Sequence, residues 1–78
     1  MTIFERIKRV LVEEMGLETD DVLPSASFVQ MGLDSLEMAS LVLELEDEFK
    51  IEITDDDLKH IFTPQDVVKY VDSHCVRA

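Results

Sequence analysis

Cysteine is nearly absent. The 78 residues include one, Cys75, so no internal disulfide can brace the fold, and that fits a reducing compartment. Cys75 itself reads as an exposed tail residue without a role. Long apolar runs are missing as well. The opening segment "MTIFERIKRV" has no signal-peptide core, and no stretch approaches the length of a membrane span. The expectation is a soluble, cytoplasmic protein. Basic residues are scarce: Lys and Arg number 7 against 18 Asp and Glu, a formal net charge of −11. Such a surface repels phosphate backbones and anionic lipid headgroups, which argues against nucleic-acid and membrane partners. Its natural complement is a basic partner protein, although the same charge can serve solubility alone. There is no internal repeat and no low-complexity segment. A chain this short forms at most one domain, spanning residues 1–78, and buries only ~60–65% of the surface its unfolded form exposes. That leaves room for a few packed helices and little room for a deep catalytic cleft.

One helix-start signal occurs four times. Thr2 with Glu5, Asp34 with Glu37, Thr54 with Asp57 and Thr63 with Asp66 each pair an N-cap residue with an acid three positions later. The cap accepts a bond from a free backbone N–H; the acid reaches back to the cap's own N–H and suits the positive end of the helix dipole. Pro64 fits a first helical position, where its missing N–H costs nothing. The first helix is expected over residues 3–15, with Gly16 as its stop. A long connection over residues 17–33 follows. Its apolar residues Val22, Leu23, Phe28, Val29 and Met31 predict that it lies across the helices. The second helix is expected over residues 35–49, with Met38, Val42, Leu45 and Phe49 as its inward stripe. Leu36, Leu41 and Leu43 fall outside that stripe, which argues for burial on a second side or for a partner surface. Residues 50–54 alternate like a strand but have no second strand to pair with, so Ile51 and Ile53 are expected to turn inward on a connector. A short third helix over residues 55–60 and a fourth over 64–73 complete an all-α fold, a small four-helix bundle with a long first loop. The expected core is Phe4, Ile7, Leu11, Phe28, Val42, Leu45, Phe49, Ile61, Val67 and Val71.

Ser35 opens the second helix in "GLDSL". As a nucleophile it would need a base and an orienting group. The two histidines, His60 and His74, belong to the ends of other helices, and the second glycine and preceding strand of a nucleophile elbow are absent. The clusters "TDDDL" and "ETDD" lack the spacing of a calcium loop and read as cap acids and solvated charge. Ser35 as a plain first-turn residue is the commonest reading of a serine at that place. Asp34 already fills the cap, however, which leaves the Ser35 hydroxyl free to project. A helix start, with free N–H groups and a positive dipole end, suits a covalently held phosphodiester.

From Phe28 to Phe49 the chain resembles the acyl carrier proteins. Gly32, Asp34, Ser35 and Leu36 match that family's motif, followed by "LVLELEDEF". "IEITDDDLKHIFTPQDVVKYV" resembles its third and fourth helices and "ERIKRVLVEEMG" its first, so the resemblance spans nearly the whole chain. It implies a 4′-phosphopantetheine arm on Ser35, flanked by Asp34 and Leu36. A separate phosphopantetheinyl transferase would install the arm from coenzyme A with Mg²⁺: the Ser35 hydroxyl attacks the β-phosphate and 3′,5′-ADP leaves. The resemblance further implies a monomeric, non-catalytic phosphoprotein that holds acyl groups as thioesters. Its partners would be acyl-transferring, ligase or ketosynthase enzymes with basic docking patches, in fatty-acid, polyketide or related lipid biosynthesis. The docking face implied by position is Leu36, Glu37, Ser40, Leu43, Glu44, Asp47 and Glu48. Two features differ from carriers of bacterial fatty-acid synthesis: Ser40 stands where an acid is usual, and the Phe28–Gly32 spacing is one residue shorter, as in polyketide and peptide assembly lines. A dedicated pathway is therefore carried beside the housekeeping one. The alternatives are a peptidyl or aminoacyl carrier and an unmodified acidic docking module.

Overall fold

Capping pairs set where the helices begin. Glu5 donates its N–H to Thr2 Oγ1, and Thr2 donates its own to Glu5 Oε1, at 3.1 and 2.8 Å. Asp34 with Glu37, Thr54 with Asp57 and Thr63 with Asp66 form the same reciprocal bonds. The computed structural model describes residues 1–74, so Cys75 lies outside the described residues. Its α-helices are α1 (Ile3–Glu13), α2 (Ser35–Phe49), α3 (Asp55–Leu58) and α4 (Pro64–His74), with one 3-10 turn at Thr19–Asp21 and no strand among the described residues. α1 and α3 each stop two residues before the sequence-based bounds. After α1, Gly16 takes a φ of +74°, and Leu17 N–H turns back to Leu11 O at 3.1 Å.

α1 packs against α4 and α2. Ile7, Leu11, Leu45, Val67 and Val71 are each at most 2% exposed, and Phe49 and Ile61 are also buried. Two expectations change. Phe4 and Val42 are only half-buried, at the edge of the core. Leu41, outside the expected stripe, is 0% exposed. The line of deepest burial along α2 runs Leu41, Leu45, Phe49 at four-residue spacing. Met38 and Val42 lie half-buried beside that line, so the expected stripe sits at its edge. Leu36 and Leu43, the other leucines outside the stripe, are 81% and 66% exposed.

The long connection does lie across the helices. Val22, Phe28 and Leu33 are buried, Met31 is half-buried, and Leu23 and Val29 are exposed. Phe28 donates its N–H to Phe62 O at 2.9 Å, and Gln65 donates to Pro24 O at 3.0 Å, which stitches the connection to the turn before α4 and to the first turn of α4 itself. A further reciprocal pair, Ser27 with Gln30 at 2.8 and 3.0 Å, closes a single turn inside it. Ile53 is buried and Ile51 half-buried, as the alternating segment predicts, and Ile53 N–H is held by Glu46 Oε2 at 2.7 Å.

Candidate functional site

Ser35 is the first residue of α2. The cap at Asp34 fixes it there: Asp34 Oδ1 accepts Glu37 N–H at 2.8 Å, and Glu37 Oε1 accepts Asp34 N–H at 3.2 Å. This arrangement aims the Asp34 carboxylate at the backbone of the first turn. The Ser35 side chain is exposed, and its hydroxyl bonds to nothing among the described residues. The approach is set by Gly32, at φ +92°, a left-handed conformation that a side chain would strain. The 15 residues of α2 direct a positive dipole end at this junction. A free hydroxyl beside unsatisfied first-turn amides fits a covalently attached phosphate ester.

An open groove of about 480 Å³ begins at Ser35 and Asp34. Its walls are Met38 and Ala39 of α2, Val29 and Leu33 of the long connection, and Leu58 and Ile61 from α3 and the turn after it. A smaller recess of about 170 Å³ shares Val29, Met38 and Ile61 and reaches Phe28 and Phe62. Neither His60 nor His74 borders the groove. Both lie elsewhere: His60 is exposed past the end of α3, and His74 stacks on Tyr70 with ring centroids 4.0 Å apart. Among the described residues no three His, Cys, Asp or Glu side chains gather in a metal-holding group.

Leu36, Ser40, Leu43 and Asp47 follow one another at four-, three- and four-residue steps, so they share one stripe of α2, and all four are exposed. Glu37 and Glu44 are half-buried. Glu48 is placed differently. It faces α1, where Arg6 Nε donates to Oε2 at 2.8 Å and Arg9 Nη2 donates to Oε1 at 2.9 Å. The Arg6 bond, with Arg9 nearby, holds the Glu48 carboxyl below the usual glutamate range. Arg6 also donates to Glu48 O at 2.8 Å and lies 4.5 Å over the Phe49 ring. α2 has no basic residue in its last turn, so an arginine from α1 supplies the cation its C-terminus favours. Nothing in the sequence pattern of α2 signals this bond, because its partner is 42 residues away.

A second polar group lies behind α3. The Tyr70 hydroxyl is 2.8 Å from Asp57 Oδ2 and 2.7 Å from Glu52 O. Hydroxyl bonds from Thr54 and Tyr70 hold the Asp57 carboxyl low. Burial first, and then the bond to Asp57, push the Tyr70 phenol up to about 12.

The model of the family described as "phosphopantetheine attachment site" matches residues 5–71. The matched span includes Asp34, Ser35, the groove walls and all of α2 and α3. Covalent attachment of 4′-phosphopantetheine defines that family.

Proposed function

This chain belongs to the phosphopantetheine attachment-site family, and from that premise we propose that it is an acyl carrier whose arm is attached at Ser35. The family makes it a phosphopantetheine-carrying protein, served by a phosphopantetheinyl transferase, and such carrier domains are generally non-catalytic. The observation that carries the choice of residue is the Ser35 hydroxyl, exposed and unbonded at the start of α2 with a groove opening beside it. When bound, the arm supplies a terminal thiol on which an acyl group is held as a thioester. The chain's own residues do the rest. Asp34 holds the helix start, Gly32 turns the backbone into it, and the exposed hydroxyl is presented for modification.

The apolar walls from Met38, Ala39, Leu58 and Ile61 favour an acyl cargo over an aminoacyl one. A charged amino group loses hydration against such walls, and the one carboxylate lining the groove, Asp34, is engaged in capping α2. Leu36 and Leu43 supply an apolar centre for docking, bordered by Glu37, Ser40, Glu44 and Asp47. Glu48 stands at the margin of this face, its charge already answered by Arg6 and Arg9. Acids on such a rim steer basic partners and set association rates. No helix among the described residues is long and apolar enough to cross a membrane. We assign the carrier to the cytoplasm, with acyl-transferring, ligase or ketosynthase enzymes of fatty-acid, polyketide or related lipid biosynthesis as partners. The deciding experiment is intact mass after incubation with coenzyme A and a broad-specificity phosphopantetheinyl transferase. The expected result is one increment for the native chain and none for Ser35→Ala, with an unchanged circular-dichroism spectrum. An increment that survives Ser35→Ala would move the site elsewhere.

A further inference from the structure

α3 forms part of the groove wall, yet little within α3 holds it in place. It is four residues long, and none of them is fully buried. A single turn cannot sustain itself, because helix nucleation costs more than one turn returns. Its surface pair, Lys59 with Asp56 at 3.5 Å, joins two exposed side chains and contributes little. The neighbouring chain is tied down at two points: Ile53 N–H to Glu46 on α2 and Phe28 N–H to Phe62 O. Between those points, the side-chain bond from α3 to the rest of the bundle comes from Tyr70.

Tyr70 is well placed for that. It stands on α4, whose Val67 and Val71 are 0% and 1% exposed. Its ring is stacked on His74 with an interplanar angle of 15°. The hydroxyl sits between Asp57 Oδ2 on α3 and Glu52 O on the connector. Asp57 Oδ2 also receives the Thr54 hydroxyl at 2.8 Å, so one carboxylate oxygen closes the cap of α3 and fastens α3 to α4. The residue after Asp57 is Leu58, which lines the groove beside Ser35; Tyr70 does not.

We propose that Tyr70 is a positioning residue: through Asp57 it sets where α3 stands, and so sets the width of the groove and the length of acyl chain the groove shelters. The first part concerns the bare protein. The second rests on the acyl-carrier reading above. With the hydroxyl removed, α3 keeps its own cap but loses its post, and Leu58 is free to move away from Met38 and Ala39.

Tyr70→Phe removes the hydroxyl and keeps the ring. Amide hydrogen exchange of the unmodified protein reads the first part directly. Exchange at Leu58, Lys59, His60 and Ile61 is expected to speed up about tenfold, the order of effect of one lost charge-assisted hydrogen bond at a partly exposed position. Amides of Ile7, Leu11, Leu41 and Leu45 are expected to keep their rates. Unchanged exchange in α3 would overturn the proposal. A uniform rise through the bundle would overturn it too, because that is the mark of general destabilisation. Asp57→Ala removes the oxygen that Tyr70 reaches along with the cap, so adding Tyr70→Phe to it should accelerate α3 no further; additive effects count against the proposal. For the second part, octanoyl and hexadecanoyl arms are loaded from their coenzyme A thioesters, and cleavage by hydroxylamine is timed. Tyr70→Phe is expected to protect the longer chain more than the native protein does. The same chain-length ratio in both proteins would refute control of the groove. Failure of both proteins to accept any arm would instead refute the carrier reading, and would leave the exchange result standing.

Discussion

Tyr70 is the chain's one tyrosine, and there is no tryptophan, so its ionisation can be followed by phenolate absorbance without interference. The folded protein holds the phenol up at about 12, chiefly through burial and then through Asp57, against an ordinary value near ~10. A raised pKa means that the fold favours the protonated form. The resulting stabilisation is complete below pH ~10 and is lost as the pH climbs toward 12. Absorbance of the phenolate is expected to stay low at pH ~10.5, where an unperturbed tyrosine is mostly ionised, and to rise toward 12. Asp57→Ala should bring the titration down. A native midpoint at the ordinary value would show that the hydroxyl is not held as described. Single residues also differ in how far the sequence betrays them. Ser35 at the first position of α2 was legible, because Asp34 and Glu37 are three apart and α2 follows at once. Ser27 and Gln30 form the same reciprocal bonds but carry no such signal in the sequence, because they close one turn with no helical pattern after it. Tyr70 and Asp57 lie 13 residues apart on different helices, so only the packed structure brings them together.

Along α2 the leucines separate by role. Leu41 is 0% exposed and Leu43 66%, although the two are nearly adjacent in sequence. Leu41→Ala is expected to cost about 2–5 kcal/mol, the range for emptying a buried leucine site. Leu43→Ala should stay within about 0.5 kcal/mol. Denaturant midpoints for the two variants check this, and similar losses would mean that α2 is turned otherwise than described. Docking should show the opposite order: Leu43→Ala weakens transfer to a partner enzyme at every salt concentration, as lost apolar contact does. Asp47→Lys should slow transfer mainly at low salt, because it alters long-range attraction. A salt-independent effect of Asp47→Lys would argue for direct contact in place of steering. The bounds of α2 and the start of α4 at Pro64 were legible from caps and period. The buried arc of α2 was not, since its width depends on neighbours that a period of 3.6 does not describe. The ends of α1 and α3 fall two residues short of the expected spans, within the fraying that helix termini show.

The whole molecule carries a formal charge of −11, and the four ion pairs found among the described residues each include at least one partly exposed partner. Salt weakens both those pairs and the mutual repulsion of the acids. Repulsion dominates when acids outnumber bases 18 to 7. The thermal midpoint at neutral pH is therefore expected to rise when monovalent salt shortens the screening length from ~30 Å to ~8 Å. A midpoint that falls would mean that the attractive pairs, led by Arg6 and Arg9 with Glu48, outweigh the repulsion.

α1 lies first in the chain and makes its most extensive contact with α4, the last described helix. A ribosome delivers the two in that order, with α2 and α3 between them. Until α4 has left the exit tunnel, α1 lacks the helix it packs against most extensively. The packed setting of the Ser35 junction is therefore expected to be complete only once α4 has emerged, and the proposed attachment of the arm to follow it. A nascent chain stalled with residues 1–62 clear of the tunnel is expected to refuse the arm from coenzyme A and the transferase, whereas one with α4 also clear accepts it. Equal labelling of the two stalled chains would show that the helix start forms without the far end of the bundle.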